Sequence, residues 1–256
     1  MSPSLEIPES ILDEARARFD AVQTRIADAA ARAGRAPAEI TLVGVAKRQP
    51  RQRVLAAVAA GVRVLGQSYI QEMREVRPEI EAALAGVLEP QAPRLAWRMV
   101  GRLQRNKAAL AVRLFDAIET VDRPKLAQTL SRQAVQQERE LEVLIQVSLC
   151  GEAQKGGCEP DAVPELAELI LELPNLRLSG LMTVPAADPD PERARPVFAA
   201  LRELRETLGG LDPKLAQSAL SMGMSGDFEV AIEEGATLAR VGTALFGDRT
   251  DPKASR

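Results

Sequence analysis

Eight short apolar runs alternate with helical segments along this chain, and the alternation limits the fold more than any other feature. The runs that we predict as strands are Ile40–Ala46, Val62–Gly66, Leu95–Val100, Ala117–Val121, Leu141–Ser148, Leu176–Val184, Leu215–Met222 and Leu238–Phe246. Helical patterns fill the intervals, near 50–60, 70–84, 106–115, 124–139, 160–173, 191–208 and 227–234. Continuous apolar runs, in place of strict alternation, are typical of parallel strands covered on both faces.

This pattern predicts an α/β fold, a single (β/α)8 TIM barrel with an extra N-terminal helix, because eight strand–helix units fit the usual size of that barrel. An open, doubly wound parallel sheet is the alternative. Residues 5–33 carry apolar positions at spacings of three and four, and Gly34 and Pro37 follow them, which indicates an amphipathic helix that ends there. We therefore predict an N-terminal helix packed on the barrel in residues 1–36, and the barrel itself in residues 37–256.

The composition excludes several classes of chemistry. The 256 residues include no histidine, which removes Ser-His-Asp and Cys-His nucleophile systems and every histidine-based zinc site. Two cysteines, Cys150 and Cys158, make neither a disulfide framework nor a convincing metal site. A net charge of −3 with both signs interspersed does not favour nucleic acid as a partner. We expect no membrane segment and no signal peptide, and a cytoplasmic location.

Polar residues follow several predicted strands at the end where TIM barrels carry their active sites. Lys47 follows the first strand, Ser225 follows the seventh, and Arg240, Gly242 and Thr243 lie on or beyond the eighth. Loops after strands seven and eight often hold phosphate in such barrels. Each residue also has an ordinary structural interpretation, since a lysine after a strand is usually solvated and Ser225 precedes a predicted helix that it could cap. Arg240 is harder to explain in that way, because a charge in an apolar strand must be paired or face a polar cavity.

A phosphate cradle, an arginine and a lysine together suit pyridoxal 5′-phosphate (PLP), and longer motifs point the same way. These motifs are Val45-Ala46-Lys47, Gly66-Gln67-Ser68-Tyr69-Ile70-Gln71-Glu72, Gly101-Arg102-Leu103-Gln104-Arg105-Asn106-Lys107, Lys155-Gly156-Gly157, Gly180-Leu181-Met182-Thr183-Val184-Pro185, Ser221 to Glu229 and Arg240 to Gly247. With them, the chain from about residue 5 to Gly247 resembles the pyridoxal phosphate homeostasis proteins, relatives of the N-terminal barrel of alanine racemase.

The resemblance implies that Lys47 carries PLP as a Schiff base and that Ser225, Gly242 and Thr243 hold its phosphate. It also places Arg240 beside the pyridine nitrogen. An arginine cannot accept the proton of that nitrogen, so the ring should stay neutral and be a poorer electron sink. Ser68 stands where the family usually has asparagine, and we include it among the candidate cofactor-binding residues.

Other positions depart from the family pattern. Gln67 replaces a glutamate, and Arg98 and Arg102 replace two histidines. The phosphate and lysine positions match the family, so we expect PLP binding to persist.

The expected function is a non-catalytic PLP-binding protein of PLP homeostasis, with PLP-dependent apoenzymes as possible recipients and a monomeric state. The alternative is a PLP-dependent amino-acid racemase, which needs a second acid–base group opposite Lys47. Family racemases take that group from a further domain, for which we expect no room before Arg256, and nothing in the sequence aims Tyr69 at the site. A sugar-phosphate enzyme would use Ser225 and Thr243 but would give Lys47 and Arg240 no joint purpose.

Overall fold

Eight parallel strands form the centre of the molecule, each paired with the next strand in chain order. The computed structural model describes residues 7–84, 94–151 and 156–248. The strands β1 to β8 are Thr41–Val45, Val64–Gln67, Ala96–Met99, Ala117–Val121, Leu141–Gln146, Leu176–Met182, Ala219–Ser221 and Leu238–Val241. β1 also pairs with β8, with Thr41 opposite Leu238, so the sheet closes on itself. The prediction of a (β/α)8 barrel is confirmed, and the open sheet is wrong.

Helices surround the barrel at the predicted places. Within the described residues, α1 to α9 are Glu9–Arg32, Arg51–Ala60, Ile70–Leu84, Ala108–Leu114, Pro124–Gln136, Val163–Glu172, Arg195–Thr207, Phe228–Glu233 and Thr243–Phe246. None of these helices is long and apolar enough to cross a bilayer. Large apolar side chains such as Trp97, Phe115 and Phe198 are fully buried. The main core therefore lies where strands and helices meet.

The predicted eighth strand, Leu238–Phe246, is too long. β8 ends at Val241, and Thr243–Phe246 forms a short helix. Gly242 separates the two elements, with φ −111° and ψ −84°. An apolar run by itself does not distinguish a strand from a buried helical turn, so the sequence pattern joined them. A short helix therefore begins directly after β8.

The N-terminal helix α1 packs against α2, α8 and α9. Because α9 has only four residues, α1 covers the outside of the barrel near the junction of β8 and β1. Arg25 on α1 donates two hydrogen bonds, of 2.9 and 2.7 Å, to the Glu229 carboxylate on α8. Its guanidinium carbon also lies 4.4 Å from the centroid of the Phe228 ring. Since α8 follows the loop after β7, α1 supports one wall of the site described next.

Candidate functional site

One cavity of about 420 Å³ lies at the carboxyl ends of the strands. All six residues predicted from the sequence line it, and they come from four different strand ends: Lys47, Ser68, Ser225, Arg240, Gly242 and Thr243. Further lining residues that the predictions did not include are Val45, Gln49, Val100, Gly101, Arg102, Gln146, Met182, Val184, Met224 and Gly226. The fold thus brings together groups up to about two hundred positions apart in sequence.

The cavity favours an anionic ligand. Three cationic side chains line it, those of Lys47, Arg102 and Arg240. Among the described lining residues there is no aspartate or glutamate. A concave site lined by one sign of charge raises the local concentration of ligands of the opposite sign. The site therefore suits a small molecule that carries at least one phosphate or carboxylate.

The loops after β7 and β8 are joined through Ser225. Its Oγ accepts hydrogen bonds from the backbone N–H groups of Gly242 (3.1 Å) and Ala244 (3.3 Å). Ser225 is therefore not the cap of α8, the interpretation left open by the sequence, because Asp227 is the residue that precedes that helix. Asp227 Oδ1 accepts from Met224 N at 2.5 Å and holds the same loop from its other side. These contacts gather hydroxyls and N–H groups at one end of the cavity.

Gly223 makes the turn that leads from β7 into this loop. Its φ is +88°, a conformation that side chains other than glycine rarely adopt. A Cβ atom there would lie 2.6 Å from the Cβ of Ala231. The carbonyl of Gly223 accepts a hydrogen bond of 3.0 Å from the backbone N–H of Arg240. Glycine at this position therefore sets where the Ser225 loop stands relative to β8.

Lys47 is positioned by the residue that follows it. Arg48 has φ +56°, which is uncommon for a residue with a side chain. Its backbone N–H donates to Glu72 Oε1 at 2.8 Å, and its guanidinium carbon lies 5.2 Å from the centroid of the Tyr69 ring. Strained backbone of this kind persists where neighbours hold it in place, often at functional sites. The first turn of α3 and the residue before it thus fix the chain just beyond Lys47.

Tyr69 does not line the cavity, and its side chain is largely exposed beside Arg48. Gln67 is fully buried, and its Oε1 accepts from the backbone N–H groups of Ser68 (2.7 Å) and Tyr69 (3.3 Å). Gln67 Nε2 has no hydrogen-bond partner among the described residues. The glutamine therefore shapes the turn that presents Ser68 to the cavity, although a carboxylate would accept both bonds without burying an unpaired donor.

Arg240 forms part of the cavity floor and is almost fully buried. Its Nη1 donates to Ser221 Oγ and its Nη2 donates to the backbone oxygen of Thr183, both at 2.8 Å. Burial lowers the pKa of this guanidinium, and the negative charges of Glu119 and Asp227 oppose the shift. An arginine stays protonated in proteins. The floor of the cavity therefore carries a fixed positive charge.

Two buried residues behind Arg240 were missed by the sequence reasoning. Ser221 Oγ donates to Glu119 Oε2 at 2.6 Å, and Glu119 is fully buried. Arg98 Nε donates to the other oxygen of Glu119, and Arg98 Nη2 donates to Glu142 at 2.7 Å. Like Arg240, Glu119 is a charged residue within an apolar strand, β4. That signal was present in the sequence.

Arg98 does not line the cavity, so its replacement of the family histidine does not alter the lining directly. Burial lowers the pKa of Arg98, but the charges of Glu119 and Glu142 outweigh that effect and leave its pKa raised. Arg102, the other such replacement, does line the cavity and is exposed. Lys155 of the fourth motif lies outside the described residues.

The two cysteines are free thiols, and no group of three potential metal ligands occurs in the described parts of the chain. Burial raises the pKa of Cys158 to about 11, whereas Cys150 is partly exposed. A thiol with that pKa is ionised in roughly one molecule per thousand at pH 8, and the thiolate is the reactive form. We expect iodoacetamide at pH 8 to label Cys150 well before Cys158 in the native protein, as measured by peptide mass spectrometry. Equal labelling rates would contradict the buried position of Cys158, and urea should make both react.

Comparison with known proteins agrees with this geometry. Residues 18–250 match the family model of the alanine racemase N-terminal domain. A pyridoxal phosphate homeostasis protein of Pseudomonas aeruginosa is 45% identical over 228 residues, which cover 89% of this chain and 93% of that protein.

Two solved structures are also similar. A crystal structure of an unknown protein from Bifidobacterium adolescentis aligns with a TM-score of 0.87 and 34% identity, covering 94% of this chain and 98% of that one. PipY of Synechococcus elongatus, in a structure with PLP bound, aligns with a TM-score of 0.72 and 33% identity, covering 87% of this chain and all of that chain.

The fold and the site together define a class of protein: a closed (β/α)8 barrel with a cationic cavity at the carboxyl ends of its strands. The chain belongs to the alanine racemase N-terminal domain family and, within it, to the pyridoxal phosphate homeostasis proteins. The resemblance found in the sequence motifs is thereby confirmed.

Proposed function

We propose that this protein binds PLP in the cavity at the carboxyl end of the barrel and holds it without catalytic turnover, as a component of PLP homeostasis. The observation that carries the proposal is the convergence of Lys47, the Ser225 loop and Arg240 on one cavity. When bound, PLP supplies an aldehyde that reacts with amines and a ring that can withdraw electrons. Its homologue PipY has a structure with PLP bound.

The phosphate would lie at the end of the cavity formed by Ser225, Gly242 and Thr243. The Ser225 hydroxyl accepts from Gly242 N and Ala244 N, so its own proton can be donated to a phosphate. Thr243 brings a second hydroxyl to the same cavity. A Cβ atom on the neighbouring Gly226 would meet no atom within 4 Å, so the cradle has space beside its donors. The residues present therefore fit the group.

Arg240 and Ser68, which both line the cavity, are the residues that would hold the pyridine ring. Arg240 can donate a hydrogen bond to the ring nitrogen but cannot take a proton from it or give it a stable positive charge. A carboxylate at that place would keep the nitrogen protonated. The arrangement therefore supports a ring with weak electron-withdrawing power, which disfavours transamination.

Lys47 would form the covalent bond to PLP through Nζ. Turnover as a racemase would need a second acid–base group across the cavity from Lys47. The described lining residues include no tyrosine, cysteine or carboxylate, and Tyr69 lies away from the cavity beside Arg48. This lining supports a binding protein over a racemase.

The proposal extends to the wider setting of the protein. We propose that residues 1–36 form an appended helix and residues 37–256 the PLP-binding unit, and that the protein is a cytoplasmic monomer. Handover of PLP to PLP-dependent apoenzymes is part of the same proposal. Light scattering coupled to size-exclusion chromatography tests the monomer, and transfer of PLP to a PLP-free aminotransferase tests handover.

The non-catalytic role is tested by proton exchange. The PLP-loaded protein is incubated with L-alanine in D₂O, and deuterium at the α-carbon is followed by NMR spectroscopy. We expect exchange no faster than that caused by free PLP at the same concentration. Exchange well above that level, lost in Lys47→Ala, would support the racemase alternative.

A further inference from the structure

A chain of buried hydrogen bonds crosses the interior of the barrel beneath the candidate site. It runs from Arg98 on β3 to Glu119 on β4, then to Ser221 on β7 and to Arg240 on β8. β4 and β7 are not neighbours in the sheet, so the 2.6 Å bond between Glu119 and Ser221 spans the barrel. All four residues are at most 8% exposed. Burying such a chain costs free energy unless every member is paired, and each of the four side chains has a hydrogen-bond partner here.

The chemistry of the end groups fixes the direction of the central bonds. An arginine can only donate and an ionised carboxylate can only accept. The single hydroxyl proton of Ser221 must therefore point to Glu119, and its lone pair must receive Nη1 of Arg240. Because both partners are charged, each bond is stronger than one between neutral groups. The Ser221 hydroxyl cannot rotate without breaking one of them.

The chain also determines where the Arg240 guanidinium stands. Ser221 holds Nη1 while the backbone oxygen of Thr183 holds Nη2. Two bonds to different nitrogens of a planar group fix both its position and its rotation. Arg98 in turn fixes Glu119, since it donates to one carboxylate oxygen while Ser221 donates to the other. Arg98 is itself held by Glu142 on β5.

We propose that Ser221, Glu119 and Arg98 are positioning residues that lock Arg240 in the orientation in which it meets the pyridine ring of PLP. The proposal rests on the proposed function, since it assigns these residues a role toward the same ligand. It goes further in assigning Arg98 and Glu119, which do not line the cavity, an effect on binding. A side chain that is already ordered in the free protein loses less conformational entropy when the ligand binds, so the affinity is higher.

The test is Ser221→Ala, which removes one hydroxyl and keeps the side chains of Arg98, Glu119 and Arg240. Ser131→Ala is the matched control, because Ser131 is equally buried and bonds only to the backbone oxygen of Pro174 among the contacts described. Ser221→Thr retains the hydroxyl and serves as the rescue variant. The readouts are the dissociation constant for PLP and the wavelength and pH dependence of the absorbance of bound PLP.

We expect Ser221→Ala to bind PLP up to about tenfold more weakly, because the Arg240 side chain must then be ordered when PLP binds, and ordering one long side chain typically costs that much affinity. Its bound-state spectrum should shift, because Arg240 no longer holds one orientation beside the ring. Ser221→Thr should restore both values toward wild type, and Ser131→Ala should change neither. Unchanged affinity and spectrum in Ser221→Ala would overturn the proposal, as would equal effects in the two alanine variants.

If the wild-type protein takes up no PLP, the proposed function is wrong, and crystal structures without ligand then decide the positioning role. We expect the Arg240 guanidinium in Ser221→Ala to move away from the Thr183 oxygen or to occupy more than one orientation. A guanidinium in the wild-type place would overturn the role of Ser221.

Discussion

Lys47→Ala is expected to abolish covalent attachment of PLP while leaving the barrel folded. Lys47 follows β1 and lines the same cavity as Ser68 and Ser225. With its amine removed, only hydrogen bonds to the phosphate and ring remain, and those are reversible. With PLP in equimolar amount, the near-violet absorbance of lysine-bound PLP should be absent, and borohydride should fix no stoichiometric cofactor.

Two further variants separate the covalent bond from charge and general damage. Lys47→Arg keeps a positive charge but cannot form the bond, so its absorbance should match that of Lys47→Ala. Lys125→Ala makes the same change on the exposed face of α5 and should behave as wild type. A wild-type band in Lys47→Ala would mean that another lysine holds PLP.

Glu119→Ala is expected to destabilise the protein by about 3–5 kcal/mol, the typical effect of removing one partner of a buried ion pair. Glu119 is fully buried and accepts hydrogen bonds from Arg98 and Ser221. Its loss leaves Glu142 as the remaining carboxylate partner of the buried Arg98. It also removes the acceptor of the Ser221 hydroxyl, which itself accepts from Arg240. Urea-induced unfolding followed by circular dichroism measures the change.

Glu14→Ala is the control for this effect. Glu14 pairs with Arg18 one turn along α1, and both side chains are more than a third exposed. Pairs of this kind typically contribute less than about 1 kcal/mol. A similarly small effect of Glu119→Ala would mean that the buried chain has an alternative arrangement and would weaken the account of Arg240 as a fixed group.

The architecture, and the placing of six predicted residues at one cavity, could be obtained from the sequence because both depend on local signals. Apolar runs marked the strands, and the residues just after each run had to meet at one end of the barrel. That reasoning brought Lys47 and Ser225 to one cavity although 178 positions separate them. The prediction was wrong at Thr243–Phe246, because the apolar residues Leu245 and Phe246 extend the apolar run of β8 but are buried in a short helix.

The polar chain inside the barrel could not be obtained in the same way. The hydrophobic pattern of a strand shows that a residue faces the barrel interior. It does not show which residue of another strand that side chain contacts across the interior. The bond from Glu119 to Ser221 depends on the stagger of β4 relative to β7, which only the closed sheet fixes. In the sequence, Arg98 was identified only as a departure from a family motif. The structure shows its partner Glu119 and shows that Arg98 does not line the cavity.

The most direct test of the central claim is to find which of the six lysines binds PLP. The wild-type protein is saturated with PLP, reduced with borohydride, digested and analysed by tandem mass spectrometry, with unreduced protein as the control. We expect one stoichiometric modification, on Lys47. A stoichiometric adduct on another lysine, or only trace labelling spread over several, would contradict a PLP site at the mouth of this barrel.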